Sequence, residues 1–307
     1  MLSSADIEAA AQRISPYIRK TPVFQLNPGE WDNQAQLFLK LEQLQYTGSF
    51  KLRGAMNRML SQPVPEAGVI AASGGNHGVA VAYAAQQLGY PSEIYVPEIS
   101  SRAKIERLRN YGARVSIVGS SYAEALQASE FRAAETGALV IHAFDQSEVV
   151  AGQGTLAREL EQQISDLDTV LVAVGGGGLI AGIASWFQGR VRVIGVQSEQ
   201  TPAMSEALKA GTRVDVSVSG IAADSLGARR VGQLAFSMAS RFVDRVLLVS
   251  DEAIRSAQRT LWQDLRLIVE PGGATALAGL LSGAYRPEPG ERVAVILCGA
   301  NTQLDTF

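Results

Sequence analysis

Thr169-Val170-Leu171-Val172-Ala173-Val174-Gly175-Gly176-Gly177-Gly178-Leu179-Ile180 carries an apolar, β-branched run straight into four consecutive glycines and then into the opening of a helix. A near-continuous apolar run is what a strand covered on both faces needs, as in a parallel sheet. Four glycines let the backbone come close to a ligand, and the free N–H groups of a helix start favour an anion. The loop therefore reads as a phosphate cradle. A loop that only required positive φ angles would use one or two glycines.

Outward from this stretch the same alternation recurs. Apolar runs at Leu37–Leu41, Val69–Ala72, Glu93–Val96, Arg114–Val118, Ala138–His142, Val191–Gln197, Arg245–Val249 and Val293–Leu297 join Thr169–Val174 as expected strands, with Ala/Leu-rich segments between them. Strands alternating with helical patterns indicate βα units and mostly parallel sheets flanked by helices. One helix is expected from His77 to Leu88, stopped by Gly89, and another from Phe50, capped by Ser49. The units fall into two lobes, a small domain over 66–146 and a large one over 1–65 and 147–307.

The bulk composition excludes several classes. Apolar residues make up 47% and charged residues 19%, with 27 basic against 30 acidic side chains for a net charge of −3. Neither nucleic acid nor anionic lipid finds a basic footprint here. The lone Cys298 forbids an internal disulfide framework, the N-terminus has no signal-peptide pattern, and no apolar run is long enough to cross a membrane. The expectation is a soluble, cytoplasmic α/β protein.

Two further loops carry chemistry. Ser73-Gly74-Gly75-Asn76-His77-Gly78 lies between a strand and a helix and offers backbone donors, a hydroxyl, an amide and an imidazole. Tyr46-Thr47-Gly48-Ser49-Phe50-Lys51-Leu52-Arg53-Gly54-Ala55 sets Lys51 in the first turn of a helix. A lysine on a helix is usually a solvated charge. At a helix N-terminus, however, the dipole disfavours its proton and leaves a nucleophilic amine suited to a Schiff base.

Together these stretches resemble the fold-type-II pyridoxal-phosphate (PLP) enzymes, specifically the threonine/serine dehydratase and serine racemase group. Ser49–Ala55, Ser73–Gly78, Gly175–Leu179, Val269-Glu270-Pro271 and Leu297-Cys298-Gly299-Ala300-Asn301 occur in that family's order, and the similarity spans about 14–301. The resemblance implies a two-lobed, tryptophan synthase β-like α/β fold and a PLP cofactor on Lys51, which would later move the substrate's α-proton. Phe50 would lie against the cofactor ring and Asn76 would hydrogen-bond its phenolic oxygen. Gly175, Gly176, Gly177, Gly178 and Leu179 would hold its phosphate. Ser73, Gly74, Gly75, Asn76 and His77 would receive the substrate carboxylate. Cys298 would face the pyridine nitrogen, although a lone cysteine at a strand end is more often a small buried filler. The implied reaction is α,β-elimination from a β-hydroxy amino acid such as L-threonine or L-serine, giving a 2-oxo acid and ammonia. Relatives are often homodimers or higher homo-oligomers, which is a family expectation.

Departures from the family pattern narrow the reading. Racemases of the group place a serine where this chain has Gly74, so elimination ranks above racemisation. Asp224-Ser225 stands where relatives have Asp-Gly, which opens the possibility of 3-hydroxyaspartate as substrate. Glu199 and the Ala203 carbonyl match a cation site of some relatives, but Ser205 replaces its second carboxylate. A divalent or monovalent cation is left open, against the plainer reading of Glu199 as a surface carboxylate. The shortness of the span after Asn301 leads to the expectation that the regulatory domain of biosynthetic threonine dehydratases is absent.

Two readings of other classes remain. Gly176 to Ala181 fits G-x-G-x-x-A with Glu199 about 20 residues on, as in NAD-dependent dehydrogenases, but leaves Lys51, Asn76 and Cys298 idle. A non-catalytic binding module would have no use for Lys51. His142 and Arg53 are expected to be structural, Arg53 in a local salt bridge.

Overall fold

The computed structural model describes residues 2–302 apart from Asn33. The chain opens with α1 (Ser4–Ile14), started by a reciprocal Ser3–Asp6 capping box, then β1 (Val23–Gln25), β2 (Gln36–Leu41) and α2 (Lys51–Leu60). Regular βα alternation follows: β3 (Val69–Ala72), α3 (Asn76–Leu88), β4 (Ser92–Val96), α4 (Arg102–Asn110), β5 (Arg114–Ile117), α5 (Tyr122–Thr136) and β6 (Leu139–Val140). The long α6 (Ser147–Gln163) leads into β7 (Thr169–Ala173), α7 (Gly178–Phe187), β8 (Arg192–Ser198) and α8 (Ala203–Ala210). The described chain then runs through α9 (Ala223–Leu226), α10 (Gln233–Phe242), β9 (Val243–Val249), α11 (Asp251–Leu265), α12 (Pro271–Leu281) and β10 (Arg292–Leu297).

The strands form two sheets. The larger has the order β1-β2-β10-β7-β8-β9, parallel throughout except for β1, which runs antiparallel to β2. The smaller, β5-β4-β3-β6, is entirely parallel. Strands β7 and β10 are buried almost throughout because helices cover both faces, which explains their unbroken apolar sequence. One apolar cluster surrounds the large sheet; a second packs around the small sheet and takes Leu52, Ala55, Met56 and Met59 from α2. No helix among the described residues is long and apolar enough to cross a membrane.

All nine expected strands are present, within two residues at most boundaries, although Ala138–His142 contracts to Leu139–Val140. The edge strand β1 is not legible in the sequence: three residues, two of them exposed, carry no readable alternation. The expected Ser49 cap is corrected. Phe50 is the N-cap residue and no side chain caps α2. Ser49 is instead engaged through its backbone in an antiparallel bridge to Gly299, and its hydroxyl is buried without a partner.

Beneath α2 lies a buried ionic cluster. Arg53 makes a two-pronged contact with Glu42 at 2.7 and 2.8 Å and reaches Glu159 at 3.0 Å. Lys40 Nζ meets Glu159 at 2.5 Å and also donates to the Thr21 carbonyl. Arg53 is thus the structural salt-bridge residue expected of it, and it ties α2 to α6 and to the end of β2.

Candidate active site

Three strand ends meet where the two sheets face each other: β10 runs into Cys298, β7 into Gly175–Gly178, and β3 into Ser73–Gly75. Ligands of open α/β sheets collect beyond such carboxyl ends. The Lys51 segment is fastened there by main-chain bonds: Phe50 N–H donates to the Cys298 carbonyl at 3.1 Å and Ala300 N–H to the Gly48 carbonyl at 2.9 Å. Gly48 has φ +73°, which makes glycine the suitable residue at this turn. Lys51 and Cys298, far apart in sequence, are thereby brought together.

Lys51 is the first residue of α2, and its Nζ donates to the Ala143 carbonyl at 2.9 Å. Burial pulls the amine down to about 8, with Cys298 and Glu270 opposing the shift. Burial, rather than the helix dipole invoked from sequence, is the leading cause. The Phe50 ring centroid lies 5.3 Å from Nζ.

Asn76 opens α3, and its carboxamide is held on both sides. Its Nδ2 donates to Glu270 Oε1 at 2.6 Å, and its Oδ1 accepts from Asn301 Nδ2, which also donates to the Thr47 carbonyl at 3.0 Å. The amide orientation is therefore set, and one Nδ2–H is left for another acceptor. Burial raises the Glu270 carboxyl to about 7, and Asp224 adds to the rise; Asn76, Arg107 and Lys104 pull the other way.

The glycine loop ends on α7, whose N-terminus has no side-chain cap; α3 likewise starts uncapped. Both helix starts present free N–H donors and positive dipole ends. The glycines also answer a packing demand that sequence does not reveal. A Cβ at Gly176 would run into the Phe144 ring, one at Gly178 would come within 3.0 Å of Phe144, and Gly177 has φ +92° beside Ala235. Gly176 and Gly178 are accordingly explained by Phe144, Gly175 by the Leu226 backbone and Gly177 by its positive φ beside Ala235, as much as by any ligand's approach. Leu179 is core, so its contribution to a ligand is its N–H.

Cys298 is buried, donates weakly to the Gly272 carbonyl at 3.5 Å, and is pushed up by burial, so it stands as a neutral thiol. His77 turns its ring away from its loop, Nε2 bonding the Ile141 carbonyl at 2.8 Å, and burial draws it down to about 3. His77 can thus offer a carboxylate its backbone N–H, as can Gly75 and Asn76; Gly75 N–H already leans on Ser73 Oγ at 3.2 Å. His142 accepts from the Phe144 and Asp145 N–H groups, a structural role. Glu199 is exposed, and Ser205 N–H is taken by Gln197 Oε1 at 2.9 Å; no group of three metal-ligating side chains occurs among the described residues.

The site opens into a cleft of about 940 Å³ whose walls include Lys104, Arg107, Asp224, Ser225, Arg255 and Glu270. A small inner pocket joins Gly74, Gly75 and Asn76 to Lys104, Arg107, Ser225 and Glu270. Sequence marks Glu270 and Asn301 as motif members without assigning them roles. Lys104 and Arg107 escape it, because on a charged helix they look like a solvated face.

Residues 14–299 match the family described as "Pyridoxal-phosphate dependent enzyme". The chain is 36% identical to the L-threonine dehydratase catabolic TdcB of Staphylococcus aureus (strain USA300), covering 99% of this chain and 90% of that protein. Among solved structures it is similar to maize serine racemase, at TM-score 0.93 and 32% identity, covering 99% of this chain and 95% of the other. It is similar also to a threonine deaminase from T.th., at TM-score 0.91 and 36% identity, covering 98% of this chain and 99% of the other.

Proposed function

The chain belongs to the pyridoxal-phosphate dependent enzyme family, and from that membership we propose that it removes water from a β-hydroxy amino acid such as L-threonine or L-serine, releasing a 2-oxo acid and ammonia. PLP is the cofactor of the family, and the residues at the site fit it. An amine partly unprotonated near neutral pH, bonded to a carbonyl rather than a carboxylate, suits an aldehyde, and the uncapped start of α7 suits a phosphate. Lys51 would hold the aldehyde carbon, the Gly175–Gly178 loop with Leu179 N–H the phosphate, Asn76 the ring hydroxyl, Phe50 a ring face and Cys298 the ring nitrogen.

When bound, the cofactor supplies an electron sink that makes the substrate's Cα–H bond acidic. Lys51, freed when the substrate amine takes its place, would accept that proton, a task matched to a free amine lowered to about 8 by burial. The N–H groups at the start of α3 bind the substrate carboxylate and fix which Cα bond faces Lys51. The Cβ–O bond then breaks, the hydroxyl takes up one proton, equivalent to the one removed from Cα, and leaves as water, and the remaining unsaturated amine is hydrolysed by a second water to the 2-oxo acid and ammonia. Cys298, as a neutral thiol, is a weak partner that cannot keep the ring nitrogen protonated, which suits prompt elimination.

The Lys51 amine carries the reading. We expect Lys51→Ala to lose both the visible absorption of lysine-bound cofactor and 2-oxo acid release from L-threonine and L-serine. A variant that keeps both overturns the assignment. The likeness to maize serine racemase motivates racemisation as the second reading. Gly74 supplies no proton on the opposite face of Cα, so D-enantiomer formation should be minor beside oxo acid release.

A further inference from the structure

Resting on the elimination reading, we propose that Arg107 forms a subsite for a second carboxylate, so that the preferred substrate is an acidic β-hydroxy amino acid rather than a neutral one. Arg107, on α4, lines both the inner pocket beside Gly74–Asn76 and the outer cleft. It is half-buried and donates from Nη2 to the Thr47 carbonyl at 3.2 Å. Its remaining donors have no acceptor within hydrogen-bonding distance among the described residues.

A charge ledger of the walls isolates this residue. Lys104 is matched by Asp224 at 2.5 Å, and Arg259 by Glu252 at 3.1 Å. Arg255, on the outer wall, has no acidic partner within ion-pair distance among the described residues and adds positive charge. Glu270, the other acid of the inner pocket, is engaged by Asn76 and raised to about 7 by burial, so at neutral pH it cancels Arg107 only in part. A guanidinium with unused donors in a partly desolvated wall is suited to two-pronged recognition of a carboxylate. The hydrogen of serine or the methyl of threonine would leave it facing nothing. The cleft volume of about 940 Å³ also leaves room beyond a three- or four-carbon neutral amino acid.

The test uses the PLP-loaded protein. Affinity for L-aspartate against L-alanine is read from the visible absorption of the bound cofactor, and kcat/KM for the 3-hydroxyaspartate isomers against L-serine from 2-oxo acid release. Wild type should favour the dicarboxylate about tenfold or more in both. Arg107→Gln should shrink each ratio by about 10- to 100-fold, as expected for a lost charge-assisted pair, and Arg107→Lys should fall between. Equal affinity for aspartate and alanine in wild type, or a ratio unchanged in Arg107→Gln, overturns the subsite. An Arg107-dependent aspartate preference without oxo acid from any substrate would support the subsite while removing the elimination reading.

Discussion

Glu270 and Lys51 illustrate how burial, as the largest cause, can bring two ordinary side chains into the neutral pH range, one from below and one from above. For Glu270 the shift has a consequence for folding. Its carboxyl titrates near 7 in the folded chain and near 4.5 unfolded, so between those values the native state holds a proton that the unfolded chain has shed. That contribution to stability is full below about 4.5 and is lost as pH rises through 7. We expect Glu270→Gln, which mimics the protonated form and keeps an acceptor for Asn76, to gain on wild type by up to about 3 kcal/mol between pH 4.5 and 8. Urea unfolding of both proteins across that range checks it; parallel stability curves would refute it. At this scale sequence is partly informative. Lys51, Asn76 and the glycines can be named because each stands in a local pattern. The Glu270–Asn76–Asn301 clamp cannot be derived, because its geometry depends on loops 194 and 225 residues apart in the chain.

Among the elements, central strands such as β7 and β10 are legible because helices on both faces force unbroken apolar runs, a constraint that edge strand β1 escapes. Helix starts are less legible, since their donors are satisfied from a distance. The start of α10 is the clearest case: Asp145, which follows the Ala143–Phe144 pair at the active site, accepts from Gln233 N–H at 2.8 Å and Leu234 N–H at 2.9 Å. Gly232 is required beside it, because a Cβ there would lie 2.7 Å from Asp145 Oδ1. Asp145→Ala should cost about 1 kcal/mol, and no more than roughly 2, as for lost caps in general. A denaturant midpoint indistinguishable from wild type would show that water replaces the carboxylate at no cost.

Across the whole molecule, the two sheets are joined over the cleft by the Lys104–Asp224 pair, which links α4 to α9. The pair is substantially exposed, so it should contribute under about 1 kcal/mol to global stability. Its place on the cleft wall gives it leverage on substrate binding. We expect Asp224→Asn, which leaves Lys104 unmatched on the cleft wall, to leave the unfolding midpoint nearly unchanged while lowering KM for an acidic substrate severalfold and steepening the dependence of KM on ionic strength. A KM unaffected by the substitution and by salt would remove the pair from any role in binding.

The position of β10 bears on how the molecule is made. It lies between β2 and β7 in the larger sheet, and the loop after it pins Thr47–Phe50 through bonds of which Asn301 to Thr47 spans 254 residues. During synthesis the early segment has to wait for nearly all the remaining described chain before that sheet can close, and such long-range pairing is intrinsically slow. Until then Lys51 lacks the Cys298–Asn301 surroundings that enclose it. A nascent chain on the ribosome is therefore unable to assemble the candidate pocket around Lys51, which is completed only once β10 has emerged.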